Sequence, residues 1–333
     1  MTTLLETRYR AVLRLLPAYY RRAREEEMVE TYLWDVDQET QDQSRPTVGE
    51  VASIAALALR SRLGTVQAPR PYAVLGSAVR LFALFAVLLQ AGSALVDRVL
   101  SLTWASTGGP ARWDMFVSDF TAHGPWSTAV QAAEWTLPLL WTVGYIALLH
   151  DRRRLARVSV LLAALPTLWP LVGPLVSETV PPEPAYATAS ALLAWLSALA
   201  LCAAHHRDAP PASLPVGSPG IVLMASCVVM GASIVLLPGA VDAVWAPATF
   251  FLAGSLAWLL WGARRTDRTS ASGALALAGL GLLVLVARIT ALVPWLDVPV
   301  PAVYVGGALG QTAALTLLTA ALTVVGTRAL ATR

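Results

Sequence analysis

The sequence predicts an all-α protein, a polytopic membrane helical bundle of about eight spans preceded by a small cytosolic three-helix domain. Three observations carry that expectation. With 56% hydrophobic and 14% charged residues over 333 positions, and a mean hydropathy of +0.60, the chain is far more apolar than a soluble domain of its length. Eight apolar stretches recur at 72–97, 127–149, 158–177, 186–204, 219–237, 246–262, 272–293 and 303–326, each near the ~20 residues that cross a hydrocarbon core. Residues 1–70 stand apart, with ten arginines and ten carboxylates.

The head, residues 1–70, reads as three short helices. Tyr9, Val12, Leu13 and Leu16 share one face at helical periodicity, and Pro17 interrupts or restarts the helix. Met28, Val29, Tyr32, Leu33 and Val36 mark the apolar side of a second helix. Thr47 followed by Glu50 fits a capping box, with Pro46 before it and a Val51, Ile54, Ala55, Ala58 stripe after it. Pro69 and Pro71 read as a short, stiff hinge before span one. A bundle of this size buries little of its surface, so it is expected to dock on its own membrane part, on a second copy in a homo-oligomer, or on a cytosolic partner.

The membrane part, residues 71–333, carries its own orientation signal. Connections after spans two, four and six hold Arg152, Arg153, Arg154 and Arg157, then Arg207, then Arg264, Arg265 and Arg268. The opposite connections hold Arg98 and Arg112 but collect Asp114, Asp119, Glu178, Glu183, Asp242 and Asp297. The positive-inside bias then places both termini in the cytosol. No cleavable signal peptide is expected, because the first long apolar run starts only near Tyr72. A Pro-rich cytosolic linker near 207–219, with Pro210, Pro211, Pro215 and Pro219, divides the spans into two sets of four. In the external connection 98–126, Trp113, Phe116, Val117 and Phe120 oppose Asp114, Ser118 and Asp119, which predicts a helix lying in the interface; a ligand-sensing loop is the alternative.

Several function classes are not expected. The net charge of +3 comes from arginines scattered over short loops beside spans, so direct nucleic-acid contact is not predicted. Cys202 and Cys227 sit inside apolar stretches and read as packing residues. His205 and His206 are adjacent and point apart on a helix, which makes them poor joint metal ligands. The chain holds no HExxH, GxSxG or Walker A motif and no acidic ligand cluster. No enzyme, cofactor or metal centre is therefore expected.

Ionisable groups inside spans are costly in hydrocarbon and stand as functional candidates: Arg80 in span one, Glu134 in span two and Arg288 in span seven. Glu134 and Arg288 fall at similar depth and either pair or line a pathway, with Gln90, Gln131 and Gln311 as further polar groups. Pro138, Pro166, Pro170 and Pro174 free backbone carbonyls that neighbours must satisfy or that line a cavity. Gly306 and Gly310 form a GxxxG, a helix-contact signal.

In the head, Arg21, Arg22 and Arg24 precede Glu25, Glu26 and Glu27, the less favourable order for helix pairing and dipole, so partner docking competes with a plain solvated face. The run Tyr9-Arg10-Ala11-Val12-Leu13-Arg14-Leu15-Leu16-Pro17-Ala18-Tyr19-Tyr20-Arg21-Arg22, then Glu25-Glu26-Glu27-Met28 and Thr31 to Leu33, resembles the HAAS-type signalling domain of bacterial membrane proteins. It is also similar to the prefix of certain ABC-type permeases. The resemblance covers about the first 65 residues. It implies a head before multispanning segments, linked with PadR-type transcription regulators or, in the permease case, with an ATPase. The absence of lysine suits a GC-rich, actinobacterium-like host and the cytoplasmic membrane of such a cell. The function expected is regulatory or signalling, with the head docking a cytosolic regulator. The alternative is a transporter or permease component moving a small solute or protons.

Overall fold

The structure is a computed structural model that describes residues 3–34, 45–63, 68–121, 125–176, 183–206, 218–236, 245–264, 270–296 and 299–331, with 209, 210, 212 and 214 between them. Among these residues every regular element is a helix. Two compact units are present, Met1–Val79 and Arg80–Arg333, and the division between them falls inside a helix.

The first unit contains α1 (Leu4–Leu13), α2 (Ala18–Trp34) and α3 (Val48–Arg62). Thr3 caps α1, accepting the Glu6 N–H. Pro17 separates α1 from α2, and its carbonyl starts α2 by accepting from Tyr20 and Arg21. At α3 both arms of the capping box form: the Thr47 hydroxyl accepts the Glu50 N–H, and Glu50 Oε2 accepts the Thr47 N–H at 2.7 Å. Tyr9, Leu13 and Leu16 close a core with Val29, Ile54 and Ala58, while Val12, Met28, Tyr32, Leu33 and Leu57 pack at its edge. Ala55, expected in the α3 stripe, is exposed; Leu57 takes its place because the buried face runs Ile54, Leu57, Ala58, Ser61. Val36 lies outside the described residues.

Six helices are long and apolar enough to cross a membrane: Arg70–Thr107, Ser127–Leu149, Arg153–Gly173, Pro184–Ala204, Ala271–Trp295 and Ala302–Ala329. These make the chain a multi-pass membrane protein. Two shorter apolar helices, Pro219–Val235 and Ala246–Leu260, stand where spans five and six are expected. The first crossing helix, α4 (Arg70–Thr107), runs ten residues beyond its expected end at 97. Nothing breaks its register before Gly108, Gly109 with φ +80° and Pro110. Pro71 sits in its first turn, where a missing N–H costs nothing.

After the amphipathic α5 (Pro110–Thr121), the second crossing helix joins α6 (Pro125–Thr136) to α7 (Leu140–Leu149) through a 3₁₀ turn at Leu137–Leu139. The third joins α8 (Arg153–Ala164) to α9 (Trp169–Val176) through another at Leu165–Leu168. Each interruption contains a proline, Pro138 or Pro166. Then come α10 (Pro184–Ala204), α11 (Pro219–Val235), α12 (Ala246–Arg264), α13 (Ser270–Ala291) and α14 (Ala302–Ala331). Most of the linker near 207–219, including Arg207, Pro211 and Pro215, lies outside the described residues, as do Glu178, Asp242, Arg265, Arg268 and Asp297.

The central helix is α4, which packs on two cores at once. Ala83, Leu84, Val87 and Leu88 meet Trp141, Tyr145, Val160, Ala198 and Leu201 of α7, α8 and α10. Ala86 and Leu89 meet Met230, Phe251, Leu280, Val284 and Leu315 of α11 to α14. Small side chains on α4 let its neighbours approach closely, which is how helices gain contact where lipid competes for apolar surface. The most extensive pairing, α13 on α14, runs over Gly281, facing Phe251 and Thr319, and Gly326, facing Leu275. The Gly306 and Gly310 pair has no atom within 4 Å of a would-be Cβ, so the GxxxG makes no contact within the described residues.

Candidate functional site

The polar residues singled out inside the spans fall at separate places. Arg80 on α4 is half-buried, and its charge acts together with those of Arg153 and Arg157 on His205. Arg157 Nη2 donates to the His205 carbonyl at 2.6 Å, and Arg153 donates to that of His206. Guanidinium groups there satisfy the orphan carbonyls that end α10 and sit at the negative end of its dipole. No group of three or more His, Cys, Asp or Glu that could hold a metal occurs among the described residues. Arg288 on α13 is 1% exposed and partnered. Glu134 is exposed on α6, and no ion pair joins it to Arg288. Gln311 of α14 holds the start of α12: its Oε1 accepts the Trp245 N–H, and its Nε2 donates to the Trp245 carbonyl and to Thr249 Oγ1, each at 3.1 Å.

That bracket borders a cavity of about 400 Å³ between α4 and its neighbours. Trp245, Ala246 and Pro247 form one wall, Met230 and Ile234 another, and Pro138, Trp141 and Thr167 a third. Both proline interruptions therefore lie on the cavity. Along α4 the lining includes Gln90, Ser93, Ala94 and Asp97, spaced at one helical face, with Val96, Arg98 and Leu100 beside them. One turn deeper the same face changes character, since Ala83, Ala86 and Val87 are 0% exposed. The cavity is blind at that end of α4.

Arg98 shapes the other end. Pro138 has no N–H to offer the Glu134 carbonyl, the acceptor four residues earlier. Arg98 Nη2 donates to that carbonyl at 3.1 Å, and Arg98 Nε to the Trp135 carbonyl at 2.8 Å. Its Nη1 bonds Asp97 Oδ2 at 2.8 Å, and its guanidinium lies 5.4 Å from the Trp135 ring centroid. Arg98 and Leu100 also line a second cavity of about 500 Å³, with Trp104, Phe116, Asp119, Phe120, Gln131 and Trp135. The α5 helix covers this one, setting Phe116 and Phe120 edge-on to Trp135 at 6.3 and 6.4 Å, with Asp119 of the face expected to be opposite lining the same space. Trp113 and Met115 remain exposed.

No family model, curated protein or solved structure matches this chain. The residues themselves carry the functional argument.

The head offers a different kind of surface. A groove of about 370 Å³ is lined by Tyr9, Tyr20, Arg24, Glu27, Met28 and Tyr32. Tyr9 and Tyr32 stack at 4.0 Å, and the Tyr32 hydroxyl donates to Glu50 Oε2 at 3.2 Å. Burial, with that bond to a carboxylate, pushes the Tyr32 pKa up to about 12. Of the six charged docking candidates, Glu25 and Glu26 pair with Arg10, which meets them at 3.6 and 2.8 Å and also bonds Glu6 at 3.0 Å; Glu25 is half-buried and Glu26 stays exposed. The hydrogen bond from Arg10 holds the Glu26 carboxyl below its usual range, and Glu26 in turn raises Arg10. Arg21 is half-buried, whereas Arg22, Arg24 and Glu27 are exposed.

Sequence reasoning passed over Arg98, read only as a loop arginine, and with it Asp97, Ser93 and Trp135. One signal was present. Pro138 strands a carbonyl and so demands some donor, but only the fold identifies Arg98 as that donor.

Proposed function

We propose that the chain is a regulatory membrane protein of a bacterial cytoplasmic membrane, in which an eight-span domain senses a ligand and a HAAS-like head docks a cytosolic regulator of the PadR type. Both termini lie in the cytosol in this reading, and the two shorter apolar helices, α11 and α12, complete the eight spans. The observation that carries the docking role is the division of charge on α2. Glu25 and Glu26 are engaged by Arg10 of α1, while the exposed Arg22, Arg24 and Glu27 make no ion pair among the described residues, and Arg24 and Glu27 line a groove with Tyr9, Tyr20 and Tyr32. Exposed charges of mixed sign steer association and set specificity. For the sensing role, the support is a cavity that ends blind against Ala83, Ala86 and Val87, which suits a receptor better than an open conduit.

The test of docking is a triple substitution, Arg22→Ala, Arg24→Ala and Glu27→Ala, in the full-length protein. Loss of the regulator's response at unchanged membrane levels is expected; an unchanged response overturns the docking role. A second reading, transport of a small solute or protons, draws on the same cavity as one state of an alternating cycle and on Glu134. It predicts that Glu134→Gln abolishes a flux in proteoliposomes, and the absence of flux in the parent protein sinks it. A homo-oligomer remains a further proposal, with the uncovered Gly306 and Gly310 face of α14 available to a second copy.

A further inference from the structure

The two cavities of the membrane unit share Arg98 and Leu100, and their chemistries differ. One is walled by Val96, Trp141, Met230, Ile234 and Trp245 and is mostly apolar. The other gathers aromatic rings with a carboxylate, Asp119, that makes no ion pair among the described residues. The rings already hold cations: Arg98 lies 5.4 Å from the Trp135 centroid and Arg112 5.3 Å from that of Trp104. A guanidinium has five N–H donors. Arg98 commits one from each nitrogen, to Trp135, Asp97 and Glu134, and keeps the remainder for an anionic oxygen.

We infer that the two cavities form one site for a zwitterionic amphiphile, its phosphate on Arg98, its ammonium against Asp119 and the Phe116 and Phe120 rings, and its apolar chain in the cavity walled by Trp141, Met230, Ile234 and Trp245. Charge selects this class. With Asp97 already paired to Arg98, a purely anionic head would face the unpaired Asp119, and a purely cationic one would leave the remaining Arg98 N–H groups unmatched; a head carrying both signs satisfies both. Each cavity falls within the volume range of ligand sites, about 300–1,000 Å³. The amphipathic α5, with Trp113 and Met115 exposed, belongs at the depth where lipid headgroups lie.

The proposal names the ligand for the sensing role above and rests on that reading. Its test needs no cytosolic partner, so its failure leaves head docking untouched. The full-length protein in detergent is titrated with lysophosphatidylethanolamine, with lysophosphatidylglycerol of the same chain length and with phosphoethanolamine, and bound molecules are counted by native mass spectrometry. The ethanolamine lipid should be preferred over the glycerol lipid by about tenfold, the size of one cation contact to a carboxylate and rings. Asp119→Asn, at an exposed position whose loss leaves the fold intact, should abolish that preference. Ala94→Trp, which fills the apolar cavity, should abolish lipid binding. No preference in the parent, or one that survives Asp119→Asn, overturns the inference. Equal affinity for phosphoethanolamine overturns the amphiphile and assigns the site to a free solute.

Discussion

Replacing Arg98 by leucine tests how the bent second crossing helix is held. The substitution removes hydrogen bonds to the Trp135 carbonyl at 2.8 Å and the Glu134 carbonyl at 3.1 Å. Bonds to a charged group contribute about 1.5–3 kcal/mol each, so the loss is about 3–6 kcal/mol. The Glu134 carbonyl depends on the guanidinium because residue 138 is proline. Pro138→Ala restores an N–H at that position, so in its background Arg98→Leu should cost less by about one bond, ~1.5–3 kcal/mol. Thermal unfolding of detergent-solubilised protein, followed by tryptophan fluorescence, reads the difference. A large unit shifts by about 2–4 °C per kcal/mol, which gives Arg98→Leu a drop on the order of 10 °C and the same change in the Pro138→Ala background roughly half of that. Equal drops in both backgrounds would show that Arg98 acts independently of the broken helix and would overturn this role for it.

Three further outcomes follow from the geometry. Leu13→Ala empties a position that is 0% exposed in the head core; the cost of about 2–5 kcal/mol rivals the whole stability of so small a unit, so trypsin should cleave α2 rapidly in the variant and slowly in the parent. Glu26, whose pKa is depressed by Arg10, stabilises the head in full above the ordinary carboxylate value of 4.5, and that contribution fades as pH falls through the lower folded value. Denaturant midpoints of the head should therefore fall on acidification less steeply in Glu26→Gln than in the parent, and parallel pH profiles would contradict this. Gln311→Leu strands the Trp245 N–H at the start of α12 at a cost of about 1–3 kcal/mol, which should lower the thermal midpoint without changing helix content by circular dichroism.

Local order in this chain was legible wherever one short segment contains all the partners. Thr47 and Glu50 form the expected capping box, Pro17 divides α1 from α2, and Pro138 and Pro166 fall at the two 3₁₀ interruptions. The α5 pattern gave the helix but not its partners: of Trp113, Phe116, Val117 and Phe120, only the two phenylalanines reach Trp135, while Trp113 and Val117 stay exposed. Helix ends were harder. Residues 98–107 carry an arginine and several hydroxyls and read as a loop, yet helix continues through them because no proline or glycine intervenes until Gly108. Long-range partners were not legible. Gln311 stood as a pathway candidate, but its amide is fully engaged with Trp245 and Thr249, residues over 60 positions away. Arg98 was hidden for the opposite reason: at the end of an expected span it had an ordinary task as an interfacial cation.

In the proposed function, the head recruits a regulator for a membrane domain that receives the signal. Affinity capture of the intact, detergent-solubilised protein beside a form lacking residues 1–65, with mass spectrometry of what co-purifies, tests it most directly. A DNA-binding regulator should be retained by the intact chain and lost with the head. Recovery of an ATPase in its place, or a set of partners indifferent to the head, would contradict it.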